Sequence, residues 1–193
     1  SKFAKGLKVI NDALDIREKI LKAFEKAENE KDERIRKKYL NFVIIGGGPT
    51  GVELAGSIAE IAYKNMTKEF RNFSSTDANI YLLEAGDRIL PSYSESLAKK
   101  SNKFLNDLGV KVKTKERVEN IEEMKVTTNK QVIYADNIIW AAGNEASPLI
   151  KYLDTETDNE GRAIVNLDCS IKEDNEVYVI GCLLYTSPSP RDS

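Results

Sequence analysis

The stretch Asn41–Ala62, NFVIIGGGPTGVELAGSIAEIA, decides the fold of this chain. Within it, Phe42–Ile45 is a short apolar run that ends at a glycine, which is typical of a buried parallel strand followed by a tight turn. From Thr50 onward the apolar residues recur at helical spacing. The pattern predicts a strand, a turn and a helix, and the turn carries the spacing G-x-G-x-x-G. Its glycines are Gly46, Gly48 and Gly51.

Each glycine of this turn has its own role in a dinucleotide-binding motif. Gly46 lets the backbone leave the strand at φ values that a Cβ would resist, and Gly48 lets the main chain approach a pyrophosphate closely. We expect Gly51 and Gly56 to keep the helix thin where it packs on the sheet. The helix amino terminus offers N–H groups and a positive dipole end to the phosphates. A glycine-rich turn in an unrelated α/β protein is the alternative, and the flanking strand and helix argue against it.

Composition excludes several other classes of protein. The chain has 193 residues, of which 41% are hydrophobic and 31% charged, and its net charge is −2. This charge argues against a nucleic-acid partner. It has two cysteines outside any C-x-x-C spacing and no histidine, so we predict no metal site and no Ser-His or Cys-His catalytic pair. No apolar run approaches the ~18 residues of a membrane span, and we expect a soluble chain.

An amphipathic helix precedes the glycine motif. Its apolar stripe runs from Ile10 to Ala27, with Asn11 or Asp12 as candidate caps, and we expect the stripe to lie against a core. The run Glu28–Lys38 carries balanced charges. It therefore predicts a solvated connector rather than a basic binding patch.

A second strand, predicted at Asn79–Leu83, ends at Glu84. In a dinucleotide-binding fold, a carboxylate at this position accepts hydrogen bonds from the adenosine ribose hydroxyls and repels a 2′-phosphate. The sequence therefore predicts a preference for NADH over NADPH. The separation from Gly46 exceeds the usual ~20 residues, and the polar insertion Lys64–Ala78 accounts for the difference. An exposed charge at a strand end is the alternative interpretation of Glu84.

The remaining elements complete a nucleotide-binding domain of about 100 residues. A helix begins at a capping box formed by Ser92 and Glu95 and ends at Gly109. A small β-meander follows, with a hairpin turn at Asn129-Lys130, and Asn137–Ala142 returns as the last strand. The intervening strands are predicted at Val110–Thr114, Val118–Ile121, Met124–Thr128 and Val132–Tyr134.

Four segments together resemble a type II, non-proton-pumping NADH dehydrogenase, a member of the FAD/NAD(P)-binding flavoproteins related to the pyridine nucleotide-disulfide oxidoreductases. The segments are GGGPTGVELAG (Gly46–Gly56), LLEAGDRILP (Leu82–Pro91), IIWAAGNEASPL (Ile138–Leu149) and VYVIG (Val177–Gly181). The resemblance implies an α/β fold in which a Rossmann-like NADH-binding domain, with a parallel sheet and a small β-meander, is flanked by partial FAD-binding segments.

The resemblance also implies domain boundaries. Residues 1–40 would belong to a split FAD-binding domain, residues 41–140 to the NADH-binding domain, and residues 141–181 to the return into the FAD domain. Ser1 would be an internal position of a longer protein, and the apolar stripe of the first helix would then face an absent partner. Residues 182–193 are expected to be a non-native or disordered tail, and Cys182 stands where the family has a flavin-binding aspartate.

The family's site residues carry over to matching positions of this chain. Glu53 is the candidate catalytic residue near the nicotinamide, although a carboxylate that only stabilises the helix dipole is the alternative. Trp140 is interpreted as a packing residue at a strand end. The predicted cofactor-binding residues are Gly46, Gly47, Gly48, Pro49, Thr50, Gly51, Glu53, Glu84, Ala141, Ala142, Gly143 and Gly181.

The implied activity is hydride transfer from NADH to FAD and then electron transfer to a quinone. The FAD site would be incomplete in this chain. The resemblance further implies peripheral attachment, through a region absent here, to the cytoplasmic side of a bacterial plasma membrane, and it allows a homodimer. Two alternatives remain open: another reductase of the superfamily, of disulfide or ferredoxin type, and a non-catalytic NADH-binding module. An upstream C-x4-C pair would favour a disulfide reductase.

Overall fold

The computed structural model describes residues 3–7, 9–66, 69–143, 148–158, 161–181 and 184–185. The chain divides into two compact units, residues 1–142 and residues 143–193.

A parallel sheet organises the first unit. Among the described residues it has five strands, in the order β1 (Lys5–Gly6), β8 (Asn137–Trp140), β2 (Asn41–Ile45), β3 (Asn79–Leu83) and β4 (Lys111–Lys113). The register pairs Ile45 with both Leu83 and Trp140, so the central strands end at the same edge of the sheet. The predicted parallel sheet is confirmed.

Helices cover one face of this sheet. They are α1 (Ile10–Asn29), α2 (Glu33–Tyr39), α3 (Pro49–Glu60) and α4 (Glu95–Asp107). The buried residues of α1, α3 and α4 form one core with alternate side chains of the central strands, because successive residues of a strand point to opposite faces. The central members of this core are Phe24, Phe42, Ile44, Ile58, Ile80, Leu82 and Leu105.

The other face carries the predicted antiparallel meander, which is confirmed. Its strands are β5 (Val118–Glu122), β6 (Lys125–Thr128) and β7 (Val132–Tyr134). Val126 and Ile133 of the meander pack with Val43 and Ile138 of the sheet. The central strands β2, β3 and β8 are therefore covered on both faces, which explains why each is an apolar run rather than an alternating one.

Helix α1 differs from expectation. Its residues Ile20 and Phe24 are buried in the same core as the glycine-motif strand, whereas Ile10 and Leu21 are exposed. The expectation that the whole stripe faces an absent partner is therefore wrong. The assignment of residues 1–40 to a split FAD-binding domain stays a prediction.

The polar insertion also contributes to the core. Phe70 and Phe73 stack on each other with ring centroids 4.8 Å apart, and both stack on Phe24. A π-helical turn at Ile61–Asn65 and a 3₁₀ turn at Ser75–Asp77 lead into and out of this segment. The insertion thus ties α1 to the core with aromatic rings.

Two local expectations were wrong, and a third was partly right. The charged run Glu28–Lys38 is not only a connector, because it contains the start of α2, capped by the Asp32 side chain. Helix α4 is capped by Ser94 rather than by Ser92. The cap of α1 was partly predicted: Val9 is the N-cap residue, but the Asp12 carboxylate takes part in the cap, because it accepts a hydrogen bond from the Val9 N–H at 3.0 Å.

The second unit is small. It contains a 3₁₀ turn at Pro148–Tyr152 and two short parallel strands, β9 (Ala163–Ile164) and β10 (Leu184–Tyr185). Ile150, Ala163, Ile171 and Val179 form its core. In neither unit do the described residues include a helix that is long and apolar enough to cross a membrane. The tail prediction for residues 182–193 lies almost entirely outside the described residues.

Candidate functional site

The turn between β2 and α3 is built around two obligatory glycines. Gly46 has a φ of +113°, and a Cβ added to it would lie 2.7 Å from the backbone N and Cα of Ala142. A Cβ on Gly51 would overlap the carbonyl oxygen of Gly46. Both contacts involve backbone atoms, which cannot move aside without distorting the turn. The close packing predicted for Gly51 is confirmed.

Gly56 does not share this constraint. A Cβ at this position would lie 3.8 Å from the Leu105 side chain, which is an ordinary van der Waals contact. The expectation that Gly56 is needed to keep α3 thin is therefore wrong.

Gly48 is the open part of the turn. It is the N-cap of α3, no side chain caps the helix there, and a Cβ added to Gly48 would meet no atom within 4 Å. Pro49 opens the helix, where the missing N–H costs no hydrogen bond. The first turn of α3 thus offers main-chain amides to an anion that approaches Gly48.

Glu84 follows directly after β3 and is half-buried. Its carboxylate turns back onto the glycine turn: Oε2 accepts a hydrogen bond from the Gly47 N–H at 2.6 Å. Oε1 accepts a hydrogen bond from the Gly86 N–H, also at 2.6 Å. The structure therefore brings the predicted ribose-binding carboxylate and the predicted pyrophosphate turn together at one edge of the sheet.

A cleft of about 650 Å³ opens beside Glu84, between the loop after β3 and the start of α4. Arg88, Ile89 and Thr114 contribute to its lining. At its rim, the Lys99 ammonium bonds to Glu95 at 2.6 Å and lowers the pKa of that carboxyl group. The cleft adjoins Glu84. A ligand that bonds to this carboxylate therefore has room to place another of its groups in the cleft.

The loop Gly86–Pro91 contributes contacts to the site that the sequence does not predict. Leu90 has a φ of +51°, and its N–H donates to the Gly47 carbonyl at 2.7 Å. Arg88 Nη2 donates to the carbonyls of Pro91 and Tyr93 at 2.9 and 3.2 Å. No propensity rule identifies a leucine with a positive φ, since that backbone region is unfavourable for residues with a Cβ.

Glu53 lies elsewhere on α3. It is exposed, it is the fifth residue of the helix, and with Lys100 and Phe104 it lines a groove of about 500 Å³ between α3 and α4. Because Glu53 lies beyond the first turn, the helix dipole accounts for it less well than expected. It does not line the cleft beside Glu84.

The return segment closes the turn from the side of β8. The Ala141 N–H donates to the Ile45 carbonyl at 2.8 Å, and Ala142 provides the backbone that Gly46 contacts. Trp140 is 40% exposed, and its indole Nε1 donates to the Ala142 carbonyl at 2.6 Å. Its interpretation as a packing residue is therefore wrong, because it fixes the backbone of the return segment instead.

Two predicted glycines lie in the second unit. Gly143 has a φ of +72° and Gly181 a φ of +75°, and neither has an atom within 4 Å of its Cβ position. Both conformations favour glycine. The described geometry of this unit assigns no ligand to them.

The family comparison matches residues 3–189 to the pyridine nucleotide-disulphide oxidoreductases. The type II NADH:quinone oxidoreductase NdhA of Mycobacterium tuberculosis is 36% identical over 198 residues, covering 97% of this chain and 42% of that protein. The type II NADH:quinone oxidoreductase Ndh of the same organism is 37% identical, covering 94% of this chain and 41% of that protein. The chain thus spans about two fifths of the length of these relatives.

Among solved structures, NDH2 from Plasmodium falciparum in complex with NADH has a TM-score of 0.71 and 26% identity, with 78% of this chain and 32% of that chain covered. Three observations point to the same family: the fold, the glycine turn with its adjacent carboxylate, and the family match over residues 3–189. The chain therefore belongs to the pyridine nucleotide-disulphide oxidoreductase family and, within it, is similar to type II NADH:quinone oxidoreductases.

Proposed function

We propose that this chain is the NADH-binding part of a flavoprotein NADH:quinone oxidoreductase. The observation that carries the proposal is the pairing of the Gly46–Gly51 turn with the Glu84 carboxylate, held at 2.6 Å from the Gly47 amide. A phosphate group and a ribose diol are the two features of a dinucleotide that such a pair of groups recognises.

In this proposal, the pyrophosphate of NADH lies at Gly48 and the first turn of α3. The site contains no side-chain cap that would compete for the amides, and the space around Gly48 is open. Glu84 accepts hydrogen bonds from the adenosine ribose hydroxyls through lone pairs that the two backbone amides leave free. Its negative charge repels the 2′-phosphate of NADPH, so NADH is the preferred nucleotide.

The chain's residues fit an FAD group only in part. Gly181 has the positive φ and the open surroundings expected of a flavin-contacting glycine, and Cys182 replaces the family's aspartate. When bound, FAD supplies the chemistry, accepting a hydride from NADH and passing two electrons to a quinone. Ala141, Ala142 and Gly143 are proposed to border the flavin side of the nucleotide site, where small residues allow close approach.

Glu53 is proposed as the residue that acts near the nicotinamide. Its exposure, and its position beyond the first helical turn, support a role other than stabilising α3. Attachment to the cytoplasmic face of a bacterial membrane, through sequence outside this chain, and a homodimer complete the proposal. They rest on the similarity to the type II enzymes alone.

A chimera tests this function. Residues 3–181 of this chain would replace the matching stretch of the M. tuberculosis enzyme NdhA, and FAD content would be measured from the visible absorption spectrum. We expect the FAD-containing chimera to oxidise NADH when a soluble quinone is present. A chimera that retains FAD and binds NADH without reducing the flavin would support a non-catalytic nucleotide-binding module instead.

A further inference from the structure

Each carboxylate oxygen of Glu84 accepts one backbone hydrogen bond before any ligand is present. Oε2 bonds to the Gly47 N–H and Oε1 to the Gly86 N–H, each at 2.6 Å. Hydrogen bonds to an ionised acceptor are short and strong, so this pair fixes the orientation of the carboxylate. We call the three residues Gly47, Glu84 and Gly86 the carboxylate clasp.

The backbone around the clasp is also fixed. The Glu84 N–H donates to the Lys113 carbonyl, and the Glu84 carbonyl accepts from the Glu116 N–H, both at 2.9 Å. The Gly47 carbonyl accepts from the Leu90 N–H at 2.7 Å. Main-chain hydrogen bonds therefore hold the backbone of both Gly47 and Glu84 in place. The side chain of Glu84 is the most movable part of the clasp.

Gly47 occupies a position that the motif leaves variable, between the first and second glycines of G-x-G-x-x-G. Unlike Gly46, it does not have a φ in the left-handed region. A Cβ added to Gly47 would lie 2.8 Å from Glu84 Oε2 and 3.0 Å from Glu84 Cβ and Cγ. The three atoms nearest to that Cβ all belong to the Glu84 side chain, which therefore opposes a larger residue there.

We propose that Gly47, assisted by Gly86, determines nucleotide specificity by holding the Glu84 carboxylate in place. Because residue 47 has no side chain, the Glu84 carboxylate stays beside the turn. There the carboxylate bonds to the ribose hydroxyls and repels a 2′-phosphate. A methyl group at this position pushes the carboxylate away while leaving the turn intact. This inference rests on the proposed function, since it assumes that the turn binds a dinucleotide.

Calorimetric titration of the 193-residue chain with NADH and NADPH tests the inference through the Gly47→Ala variant. We expect NADH to bind the variant about tenfold or more weakly, because hydrogen bonds from the ribose to a charged group are lost. NADPH should bind equally well or better, so the ratio of the two dissociation constants collapses. An unchanged ratio would overturn the role of Gly47.

Gly48→Ala is the matched control. Its methyl group enters the open space at the helix N-cap, which both nucleotides share, so both affinities should fall and their ratio should persist. A ratio that collapses as far in Gly48→Ala as in Gly47→Ala would contradict the inference, because the effect would not be specific to the clasp.

Gly86→Ala provides a second variant in case Gly47→Ala does not fold, as judged by circular dichroism. Its Cβ would lie 3.1 Å from Glu84 Oε1, a milder contact, so we expect a smaller shift of the ratio in the same direction. If the folded wild-type chain binds neither nucleotide, the proposed function fails. If wild type prefers NADH and both variants keep that preference, only this inference fails.

Discussion

Individual glycines of the stretch Asn41–Ala62 carry unequal constraints. Gly46 combines a φ of +113° with backbone atoms at 2.7 Å from its Cβ position, whereas Gly56 has only an ordinary contact at 3.8 Å. Both belong to the segment that marks the fold in the sequence. The motif spacing identifies the glycines of the turn. Only the three-dimensional contacts show that Gly46 and Gly51 cannot be replaced, whereas Gly56 can.

This difference predicts opposite effects on stability. Gly46→Ala should lower the free energy of unfolding by at least about 2 kcal/mol, because it adds backbone strain and a clash with Ala142. Gly56→Ala should leave it unchanged or raise it by up to about 1 kcal/mol, since alanine favours a helix over glycine. Urea unfolding followed by circular dichroism measures both. Equal destabilisation by the two variants would contradict the account of the turn.

Glu53 gives the second prediction at this scale. In the chimera described above, Glu53→Ala should slow turnover by roughly tenfold or more while the NADH affinity stays nearly constant. Glu60→Ala is the control, because Glu60 is also exposed on α3, lines the same groove and pairs with Lys64. A normal turnover number for Glu53→Ala would remove this residue from the reaction.

Secondary-structure elements were predictable where burial leaves a simple pattern. Strands β2, β3 and β8 are covered on both faces, so each is an apolar run, and the glycine motif fixes the direction of the chain after β2. Strand β1 has two residues, which is too short for any periodicity to show. Helix α1 shows its apolar stripe clearly, but a stripe does not say which surface it packs against. The surface that the stripe packs against is determined by the tertiary structure.

The candidate site likewise has a part that the sequence predicts and a part that only tertiary contacts define. The turn and Glu84 were predictable because they form a local motif and a strand end. The carboxylate clasp and the Leu90 contact were not, because they join residues from different loops through backbone atoms, which side-chain type does not report. The Trp140 contact is local, but it was not predictable either, because its indole N–H bonds to a backbone carbonyl two residues further along the chain.

Helix α4 provides a test of element ends. The Ser94 hydroxyl accepts a hydrogen bond from the Leu97 N–H, whereas Ser92 is exposed and lies before the helix. Ser94→Ala should therefore cost about 1 kcal/mol of stability. Ser92→Ala should be close to neutral. Thermal unfolding of the two variants in parallel would show a lower midpoint for Ser94→Ala alone, and the reverse order would restore the cap expected from the sequence.

Helix α1 provides a test of element packing. Phe24 is 0% exposed and contacts the rings of Phe42, Phe70 and Phe73, while Leu21 on the same helix is 39% exposed. Phe24→Ala should destabilise the first unit by about 3–5 kcal/mol. Leu21→Ala should cost much less. If Phe24→Ala proved as mild as Leu21→Ala, α1 would not belong to the core of the nucleotide-binding sheet.

At the scale of the whole molecule, the chain has one unit with a complete α/β core and a smaller second unit. The first unit contains the glycine turn, Glu84 and the return segment up to Ala142. All residues proposed to recognise the NADH pyrophosphate and ribose therefore lie in a part of the chain with its own core. This makes nucleotide binding testable without the rest of the sequence found in the longer relatives.

The most direct test is titration of the purified 193-residue chain with NADH and NADPH in parallel, by calorimetry, with an absorption spectrum to detect bound flavin. We predict measurable binding of NADH, weaker binding of NADPH and no retained flavin, since the chain fits an FAD group only in part. A chain that is folded by circular dichroism and binds neither nucleotide would contradict the assignment of Gly46–Gly51 and Glu84 as a dinucleotide site.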